Sequence, residues 1–365
     1  MDIIELFKNL IETKSETPDD GGLLDFITEY LPGFTAIRVD IEDVKNLFIY
    51  KKFSDGDHLC FAGHVDVVPA GKGWATDPYK AVEKDGFIYG RGAQDMKAGV
   101  AAFVQAVKES QTFNGTLSIL LTSDEEGEAT NGTVKMLEHL KEKNMLPDAV
   151  VVAEPTCENN FGDAIKVGRR GSINGYLTIK GKQGHAAYPE KAINPIHNLS
   201  QVLGDMAGVN IDDGDEFFSP SKFVVTDIRS GMQVTNVTPN ELKMMFNVRN
   251  TTITTQKEVR LFVDKHLNTL DYDLKLTQGS YPFQTNTDTK VVQNIDKSIE
   301  NVTGIKPKHS TAGGTSDARF VAQYGINVIE FGVKNDTIHG INERTTKAEV
   351  ISLFEVFKDL IKEWR

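Results

Sequence analysis

The stretch 116-TLSILLTSDEEGE-128 joins an apolar segment to four closely spaced carboxylates. The apolar half has the composition of a buried strand. The carboxylates after it repel one another, unless a cation or a proton-transfer role holds some of them together. The alternative is a solvent-exposed acidic turn, because Asp and Glu are mostly exposed in proteins. The surrounding sequence is needed to separate these interpretations.

Strand-like apolar segments alternate with amphipathic helical patterns over the first 155 or so residues. Such alternation predicts an α/β fold with helices on the faces of a sheet. Open sheets of this class bind ligands beyond the carboxyl ends of their strands, and the acidic cluster lies at such an end. The strand segments are NLFIYKKF (46–53), DHLCFAGHVDVVP (57–69), TLSILLTS (116–123) and DAVVVAEP (148–155), and the helical ones are MKAGVAAFVQAVKES (96–110) and GTVKMLEHLKEK (132–143).

A different order of elements follows in the segment 171–282. Its patterns predict strand, helix, strand, strand, helix and strand, which is the βαββαβ order of a ferredoxin-like unit. The segment 283–365 returns to α/β alternation and ends in an amphipathic helix with a Thr346 and Glu349 capping box. A chain of 365 residues also exceeds the usual size of one core. We therefore predict a mixed-sheet α/β domain built from 1–170 and 283–365, interrupted by an inserted domain at 171–282.

Composition and charge narrow the class of protein. With 39% hydrophobic and 25% charged residues the chain has an ordinary globular composition. Its net charge of -12 argues against non-specific binding to nucleic acid. The acidic, amphipathic start is unlike a signal peptide, and no apolar run approaches the roughly 20 residues that span a bilayer, so the expected compartment is the cytoplasm.

The two cysteines, Cys60 and Cys157, do not form a CxxC pair. Neither a disulfide framework nor a thiolate metal site is therefore expected. Both side chains are expected to be buried, unreactive thiols.

Metal-type ligands occur at or after several predicted strand ends. His64 and Asp66 are two residues apart, which places them on one face of a strand and suits a metal ligand supported by a carboxylate. An ordinary surface or core-edge histidine is the alternative. Asp95 directly precedes a predicted helix and could instead be its N-cap. Glu154 ends an apolar run, where a buried glutamate requires a partner, and His339 lies in a predicted loop.

Taken together, these positions indicate a catalytic metal site. Two histidines and several carboxylates, without thiolates, suit zinc in catalytic sites. A carboxylate shared by two ions about 3.5 to 4 Å apart would form a two-metal hydrolase site. The sequence contains no HExxH motif, which excludes the helix-borne zinc protease pattern.

Eight motifs in chain order resemble those of the di-zinc amidohydrolase family that includes aminoacylases, carboxypeptidases and dipeptidases. The resemblance extends over nearly the whole chain. It implies a metal-dependent enzyme that hydrolyses amide bonds. The motifs are GHVDVVPAG (63–71), GRGAQDMKAG (90–99), TSDEEGE (122–128), AEPT (153–156), GRRGS (168–172), KGKQGHAAYP (180–189), GGTSDARF (313–320) and TIHGINE (337–343).

The resemblance also implies roles for individual residues at the metal site. Asp95 would bridge two zinc ions, for which cobalt or manganese can substitute. His64 and Glu154 would complete one zinc site, and Glu126 and His339 the other. Glu125 would be the general base and Asp66 would support His64. The peptide bond between Asp95 and Met96 is expected to be cis, as it is in relatives.

In the same family the inserted domain forms a homodimer and contributes a histidine, here His185, to the active site of the partner subunit. From the residues alone, His185 is an ordinary loop histidine.

An anionic small-molecule substrate is expected, and arginine binds carboxylates through two parallel hydrogen bonds. For any arginine proposed in this role, the alternative is an ion pair at the protein surface. The candidate substrate contacts are Arg169 or Arg170, Arg249, Tyr188, Asn236, Gly314 and Thr315.

Two alternatives to the implied substrate class remain open at this point. A sibling deacylase, aminoacylase or dipeptidase would share the zinc ligands. A metal-binding protein without catalysis would not require Glu125.

Overall fold

The structure is a computed structural model that describes residues 1–364. It divides into two compact units. The first, called the main unit, contains Met1–Gly168, Thr285–Ser310 and the chain from Ser316 onwards. The second, called the inserted unit, contains Arg169–Gln284 together with Thr311–Thr315. No sequence pattern indicated that the short segment Thr311–Thr315 would belong with the insertion.

The helical patterns at 96–110 and 132–143 are confirmed as helices whose ends agree with the patterns to within one residue. No helix of the described chain has both the length and the apolar character needed to cross a membrane. The helices are α1 Ile3–Glu12, α2 Leu23–Tyr30, α3 Lys97–Glu109, α4 Thr133–Glu142, α5 Pro195–Ser200, α6 Leu203–Met206, α7 Gln256–Leu267, α8 Lys290–Thr303, α9 Ala318–Ala322 and α10 Lys347–Glu363, with a 3₁₀ turn at Pro189–Lys191.

The strands include every strand segment that the sequence patterns indicated. They are β1 Thr35–Arg38, β2 Asn46–Lys52, β3 Asp57–His64, β4 Val82–Lys84, β5 Phe87–Tyr89, β6 Gly115–Thr122, β7 Ala149–Val152, β8 Ala164–Lys166, β9 Gly168–Arg169, β10 Ser172–Lys180, β11 Gly184–His185, β12 Phe223–Ser230, β13 Val237–Thr238, β14 Glu241–Val248, β15 Tyr272–Ser280, β16 Phe283–Gln284, β17 Lys308–Ser310, β18 Asn327–Glu330 and β19 Arg344–Thr346.

The main unit is built on an eight-stranded mixed sheet in the order β1-β2-β6-β3-β7-β18-β8-β17. The central strands β6, β3, β7 and β18 are parallel, whereas β1 and β2 pair antiparallel at one end. Every residue of β7 is buried, so helices must cover both faces of the sheet. The predicted α/β fold with a mixed sheet is confirmed.

The parallel strands bring three chain segments to one edge of this sheet. His64 at the end of β3 pairs in register with Thr122 at the end of β6. On the other side of β3, Ala62 pairs with Val152 at the end of β7. The residues that follow β3, β6 and β7 therefore leave the sheet side by side, as expected for a ligand site at the carboxyl ends of parallel strands.

The last helix, α10, begins with the predicted capping box. The Thr346 hydroxyl accepts a hydrogen bond from the backbone N–H of Glu349, whose carboxylate accepts one from the N–H of Thr346. These two reciprocal bonds satisfy backbone groups that a helix start leaves without partners. The apolar side of α10 packs against α3 and α8.

The inserted unit contains a four-stranded antiparallel sheet in the order β12-β14-β10-β15. Burial alternates along β14, so only one face of the sheet contributes to the core. That face packs with α5, α6 and α7 in a cluster that includes Ile173, Leu177, Phe223, Phe246 and Val263. The chain order of strand, helical segment, two strands, helix and strand agrees with the pattern at 171–282.

The first helical segment of the inserted unit differs from the prediction. The pattern at 194–208 predicts one helix, but the structure contains two short helices, α5 and α6, on either side of Val202. Val202 has φ -123, outside the helical region, and its N–H donates to the carbonyl of Leu199 in a four-residue turn of the 3₁₀ type. Its branched Cβ also makes it a weak helix former.

Both cysteines are free and buried, as expected. Burial raises the pKa of the Cys60 thiol to about 12 and that of the Cys157 thiol to about 11. Both therefore stay protonated at neutral pH and are poor nucleophiles.

The half-buried His58, near the start of β3, should make stability depend on pH. Burial lowers the pKa of His58 to about 4, and its Nε2 lies 2.7 Å from the Ser118 hydroxyl. Because an unfolded histidine titrates near 6.5, the unfolded chain binds more protons between pH 6.5 and 4. The free energy of unfolding should therefore fall by about 3 kcal/mol as the pH is lowered through that window.

Urea unfolding of the chelator-treated chain and of His58→Gln, measured at several pH values between 4.5 and 7.5, checks this expectation. The variant should lack the His58 contribution and show the shallower slope. Identical slopes in the two chains would contradict the assigned cause.

Candidate metal centre

His64 is the last residue of β3, and both of its ring nitrogens have partners. Nδ1 lies 2.8 Å from the backbone carbonyl of Asp66, so this nitrogen carries the hydrogen of the neutral ring. Nε2 faces two carboxylates, at 3.2 Å from Asp95 Oδ1 and 3.8 Å from Glu154 Oε1. Without a cation, Nε2 donates a hydrogen bond to Asp95. In a neutral ring with its hydrogen on Nδ1, the Nε2 lone pair would be directed at the place where a shared cation would bind.

The Asp66 carboxylate has a different contact from the one expected. Its Oδ1 lies 3.6 Å from His64 Nδ1, so the Asp66 backbone carbonyl is the group that holds the ring. The two carboxylate oxygens instead face the backbone N–H groups of Glu125, at 3.4 Å, and Glu126, at 3.1 Å. Asp66 therefore connects His64 to the acidic turn after β6.

Asp95 lies directly before α3 in a turn with a cis peptide bond between Asp95 and Met96, as expected. The N-cap of α3 is Met96, and no side chain caps this helix, so Asp95 does not act as its cap. The Asp95 carboxylate instead lies between two histidines. Its Oδ1 is 3.2 Å from His64 Nε2, and its Oδ2 is 3.4 Å from His339 Nε2.

The second histidine completes the group on the other side of Asp95. His339 lies in the loop between β18 and β19, and its Nε2 is 2.9 Å from Glu126 Oε1. One nitrogen of His64, one carboxylate oxygen of Asp95 and one of Glu126 all lie within 4.8 Å of one another. The structure thus brings all five predicted positions together. One histidine, His64, lies beside Asp95 Oδ1 and Glu154, and the other, His339, lies beside Asp95 Oδ2 and Glu126.

The charges of this group fit a bound cation. Burial and the charge of Asp95 raise the pKa of Glu154 well above its usual range. Burial by itself would also raise the pKa of Asp95, but hydrogen bonds from His339 and His64 outweigh it and hold the pKa of this carboxyl well below its usual range. Within the described chain, the basic groups within 4 Å of Asp95, Glu126 and Glu154 are the two histidines. A divalent ion would supply the positive charge that these buried carboxylates require.

Hydrogen bonds to Asp95 and Glu126 raise the pKa of His339 to about 10. A metal ligand must be an unprotonated imidazole, so a cation would displace this proton. The donor set of imidazole nitrogens and carboxylate oxygens suits zinc or a similar divalent ion at a catalytic site.

Glu125 is the neighbour of Glu126 but has no contact with the histidines in hydrogen-bond range. Burial raises the pKa of its carboxyl well above the usual range, and the nearby Asp317, Glu126 and Asp95 act in the same direction. A carboxyl group in this setting can accept a proton and hold it, which is the property of a general base.

The remaining predicted residues lie in the inserted unit, in two groups and one separate position. His185 and Tyr188 are exposed, with ring centroids 5.8 Å apart, and the carbonyl of Asn236 accepts the N–H of the adjacent Ala186. Arg169 is buried and contacts the segment that carries Gly314 and Thr315. Arg249 is exposed directly after β14.

The second group is formed by Arg169 and the segment 311–315. Nη1 of Arg169 donates to the carbonyl of Ala312 at 3.1 Å. Gly313 has φ 107, and a Cβ at this position would lie 2.6 Å from Arg169 Nη1. Only glycine therefore fits beside the guanidinium here. Gly314 and Thr315 follow as exposed residues.

Two buried residues beside the predicted metal ligands have no signature in the sequence. Gln94 and Glu343 are almost fully buried and bond to the segments that carry Asp95 and His339. Both fall inside the quoted motifs, but a Gln or Glu in a loop is usually exposed, and no spacing marks these two as different.

Residues 60–363 match the sequence model of a protein family described as "Peptidase family M20/M25/M40". The chain belongs to peptidase family M20/M25/M40. Its relatives in this family include a protein of Sulfurimonas denitrificans, 74% identical over 365 residues, and one of Nautilia profundicola, 64% identical over 364 residues. Both are named succinyl-diaminopimelate desuccinylase, and each match covers 100% of both chains.

Several solved structures share the fold. Aminopeptidase PepT of Bacillus cereus is 21% identical with a TM-score of 0.81, and the match covers 99% of this chain and 97% of that one. A protein of Bacillus subtilis, described as a dinuclear metal-binding peptidase of the M20 family, is 15% identical with a TM-score of 0.70 and coverage of 98% and 96%. At such identities the likeness is evidence for the fold alone.

Proposed function

We propose that this chain hydrolyses N-succinyl-LL-2,6-diaminopimelate to succinate and LL-2,6-diaminopimelate, a step in lysine and cell-wall diaminopimelate biosynthesis. The observation that carries the proposal is the identity of 74% over complete length with a relative named for this activity. The structure supports it with a cluster of two histidines and three carboxylates suited to amide hydrolysis, in which His64 and Glu154 are buried and His339 is exposed. A biosynthetic role of this kind places the enzyme in the cytoplasm.

The proposed centre holds two zinc ions, with cobalt or manganese as possible substitutes. Asp95 would contact both ions, His64 and Glu154 one of them, and Glu126 and His339 the other. Ions bound there would polarise the amide carbonyl and lower the pKa of water. Asp66 holds the turn of Glu125 and Glu126 in place through their backbone N–H groups.

Glu125 moves the proton in the proposed reaction. Its carboxylate takes a proton from the attacking water as the new carbon–oxygen bond forms. It then gives that proton to the amine nitrogen as the carbon–nitrogen bond breaks, so atoms and charge balance. His185 of the partner subunit would donate a hydrogen bond to the oxyanion that develops on the carbonyl oxygen.

The proposed substrate has three carboxylates and one free amine. The overall charge of -12 means that cationic side chains must be concentrated where the substrate binds. Arg169 and Arg249 are the proposed carboxylate partners, with Tyr188, Asn236, Gly314 and Thr315 as further contacts. The bond from Arg169 to Ala312 and its buried position fix this guanidinium in one orientation.

The inserted unit, which we propose is a ferredoxin-like dimerisation domain, has two edge strands. The edge strand β15 is flanked by ion pairs of Lys180 with Asp271 and Asp273, which discourage pairing with another chain. The other edge, β12, exposes Val224 and Ile228, at 45% and 41%. Pairing of two β12 edges about a twofold axis would form the proposed homodimer.

Replacing Val224 and Ile228 together by Lys should therefore shift the homodimer to monomer, because like charges would face each other across the proposed axis. Leu261→Lys is the matched control, since Leu261 is 56% exposed on α7, which packs against β15 at the opposite edge. Light scattering after size exclusion gives the mass of each chain. A dimeric double variant would contradict the proposed use of β12.

Comparison of substrates tests the proposed activity. Zinc-loaded chain should hydrolyse N-succinyl-LL-2,6-diaminopimelate with a much higher kcat/KM than acetylornithine or dipeptides. A higher kcat/KM for one of the latter would identify a sibling deacylase or dipeptidase. Absence of turnover on all of them would leave a metal-binding protein without catalysis, and either result refutes the proposal.

A further inference from the structure

A buried carboxylate outside the proposed ligand set holds the turn that carries Asp95. Glu343 has an exposed fraction of 0%. Its Oε1 accepts the backbone N–H of Gln94 at 2.8 Å and that of Asp95 at 3.1 Å. Its Oε2 accepts the N–H of Gly92 at 3.0 Å and a guanidinium N–H of Arg91 at 2.7 Å. Three hydrogen bonds from backbone N–H groups between Gly92 and Asp95 fix the direction in which this turn presents Asp95.

Arg91 balances the charge of Glu343 and extends the contact to the His339 loop. Its Nη2 lies 3.5 Å from the backbone carbonyl of His339 and 3.4 Å from that of Ala70. Because both members of the pair are buried, loss of either would leave an uncompensated charge in the interior.

Gln94 makes a separate connection to the same loop. Its Nε2 donates to Asp336 Oδ1 at 2.6 Å, and its Oε1 accepts both the N–H and the hydroxyl of Thr337, at 2.9 and 2.8 Å. Thr337 lies two residues before His339, which has φ 58. The amide of Gln94 therefore fixes the chain just ahead of the histidine.

We propose that Glu343 and Gln94 are positioning residues for the metal centre, each acting through a different ligand. Glu343 orients Asp95, which lies between the two histidines, and so affects both metal positions. Gln94 orients the segment before His339 and so affects one position. The inference rests on the proposed two-metal site, but it does not depend on which substrate is hydrolysed.

Zinc affinity, measured by competition with a chromophoric chelator, separates these roles. Loss of groups that orient metal ligands typically weakens metal binding by about 10- to 100-fold. Glu343→Gln, which replaces an accepting oxygen by an NH₂ group, should weaken both zinc-binding steps by about that factor. Gln94→Ala should weaken only one step and leave the other within about twofold of the unsubstituted chain.

Glu349→Gln is the matched control for general loss of stability. Glu349 is also a buried carboxylate, but its hydrogen bonds go to Thr345 and Thr346 at the start of α10. Its contact with the loop of His339 is a 3.8 Å ion pair with Lys334, five residues before the histidine. This variant should melt at a lower temperature yet bind zinc as the unsubstituted chain does. Zinc binding is measured at a temperature where circular dichroism shows every variant folded.

Unchanged zinc affinities in folded Glu343→Gln would overturn the inference, as would equal losses in all three variants. If Glu343→Gln does not fold, Gln94→Ala decides: loss of one step supports the inference, and loss of neither or both overturns it. These outcomes are independent of the proposed activity. If the variants showed the expected pattern of zinc affinities but the chain did not turn over the N-succinyl substrate, only the proposed activity would be refuted.

Discussion

Replacing Glu125 by Gln should lower kcat by about 10²- to 10⁴-fold while the chain keeps its full metal content. The amide of Gln matches the carboxylate in shape but cannot take a proton from water. Since Glu125 has no hydrogen-bond contact with either histidine, the metal ligands keep their positions. Because the lost step is proton transfer and not binding, KM should change little.

Glu128→Gln is the matched control, because Glu128 belongs to the same acidic cluster but is exposed. This control should keep kcat within about twofold of the unsubstituted chain. Steady-state kinetics together with the zinc content of each purified chain check both expectations. Full activity of Glu125→Gln would refute its role as the base, and loss of zinc would instead identify it as a ligand.

Replacing Asp95 by Ala should remove both metal ions and with them the hydrolytic activity. The Asp95 carboxylate is the one group that lies within 3.4 Å of both His64 Nε2 and His339 Nε2 in the described chain. Loss of a group that only orients a metal ligand lowers metal affinity by up to roughly 100-fold. Loss of Asp95 should lower the affinity for each of the two proposed ions by more than that. Turnover should fall to that of the chelator-treated chain.

His339→Ala provides the comparison for this variant, because His339 lies beside only one of the two proposed ion positions. It should lower the metal content from two ions to about one per chain. Elemental analysis after dialysis against a defined zinc concentration gives the content directly. Retention of two ions by Asp95→Ala would show that Asp95 does not bridge them.

Much of the fold could be predicted because the periodicities are strong. The apolar segments ending near His64, Thr122 and Val152 are strands, and their parallel alignment follows from alternation with helices. Parallel strands in turn bring residues from distant parts of the sequence to one edge of the sheet. This is why the positions of His64, Glu126 and Glu154 near one another could be expected before any coordinates.

Other features depend on tertiary contacts that leave no local pattern. The separation of α5 from α6 follows from the conformation of one residue, Val202. The Asp66 carboxylate holds the acidic turn through backbone N–H groups, which have no sequence signature. The same holds for Glu343, whose partners are backbone groups about 250 residues earlier in the chain. The roles of the residues in the inserted unit remain predictions.

The segment Thr311–Thr315 affects how this protein can be divided. It lies far along the sequence from Arg169–Gln284, yet it belongs to the same compact unit. The Thr311 hydroxyl donates to the carbonyl of Phe217, and Ala312 accepts from Arg169. A chimera that exchanges only residues 169–284 with those of a relative would replace one partner of each of these contacts and keep the other partner. Modular recombination within the family must therefore transfer two separate pieces of chain as one cassette.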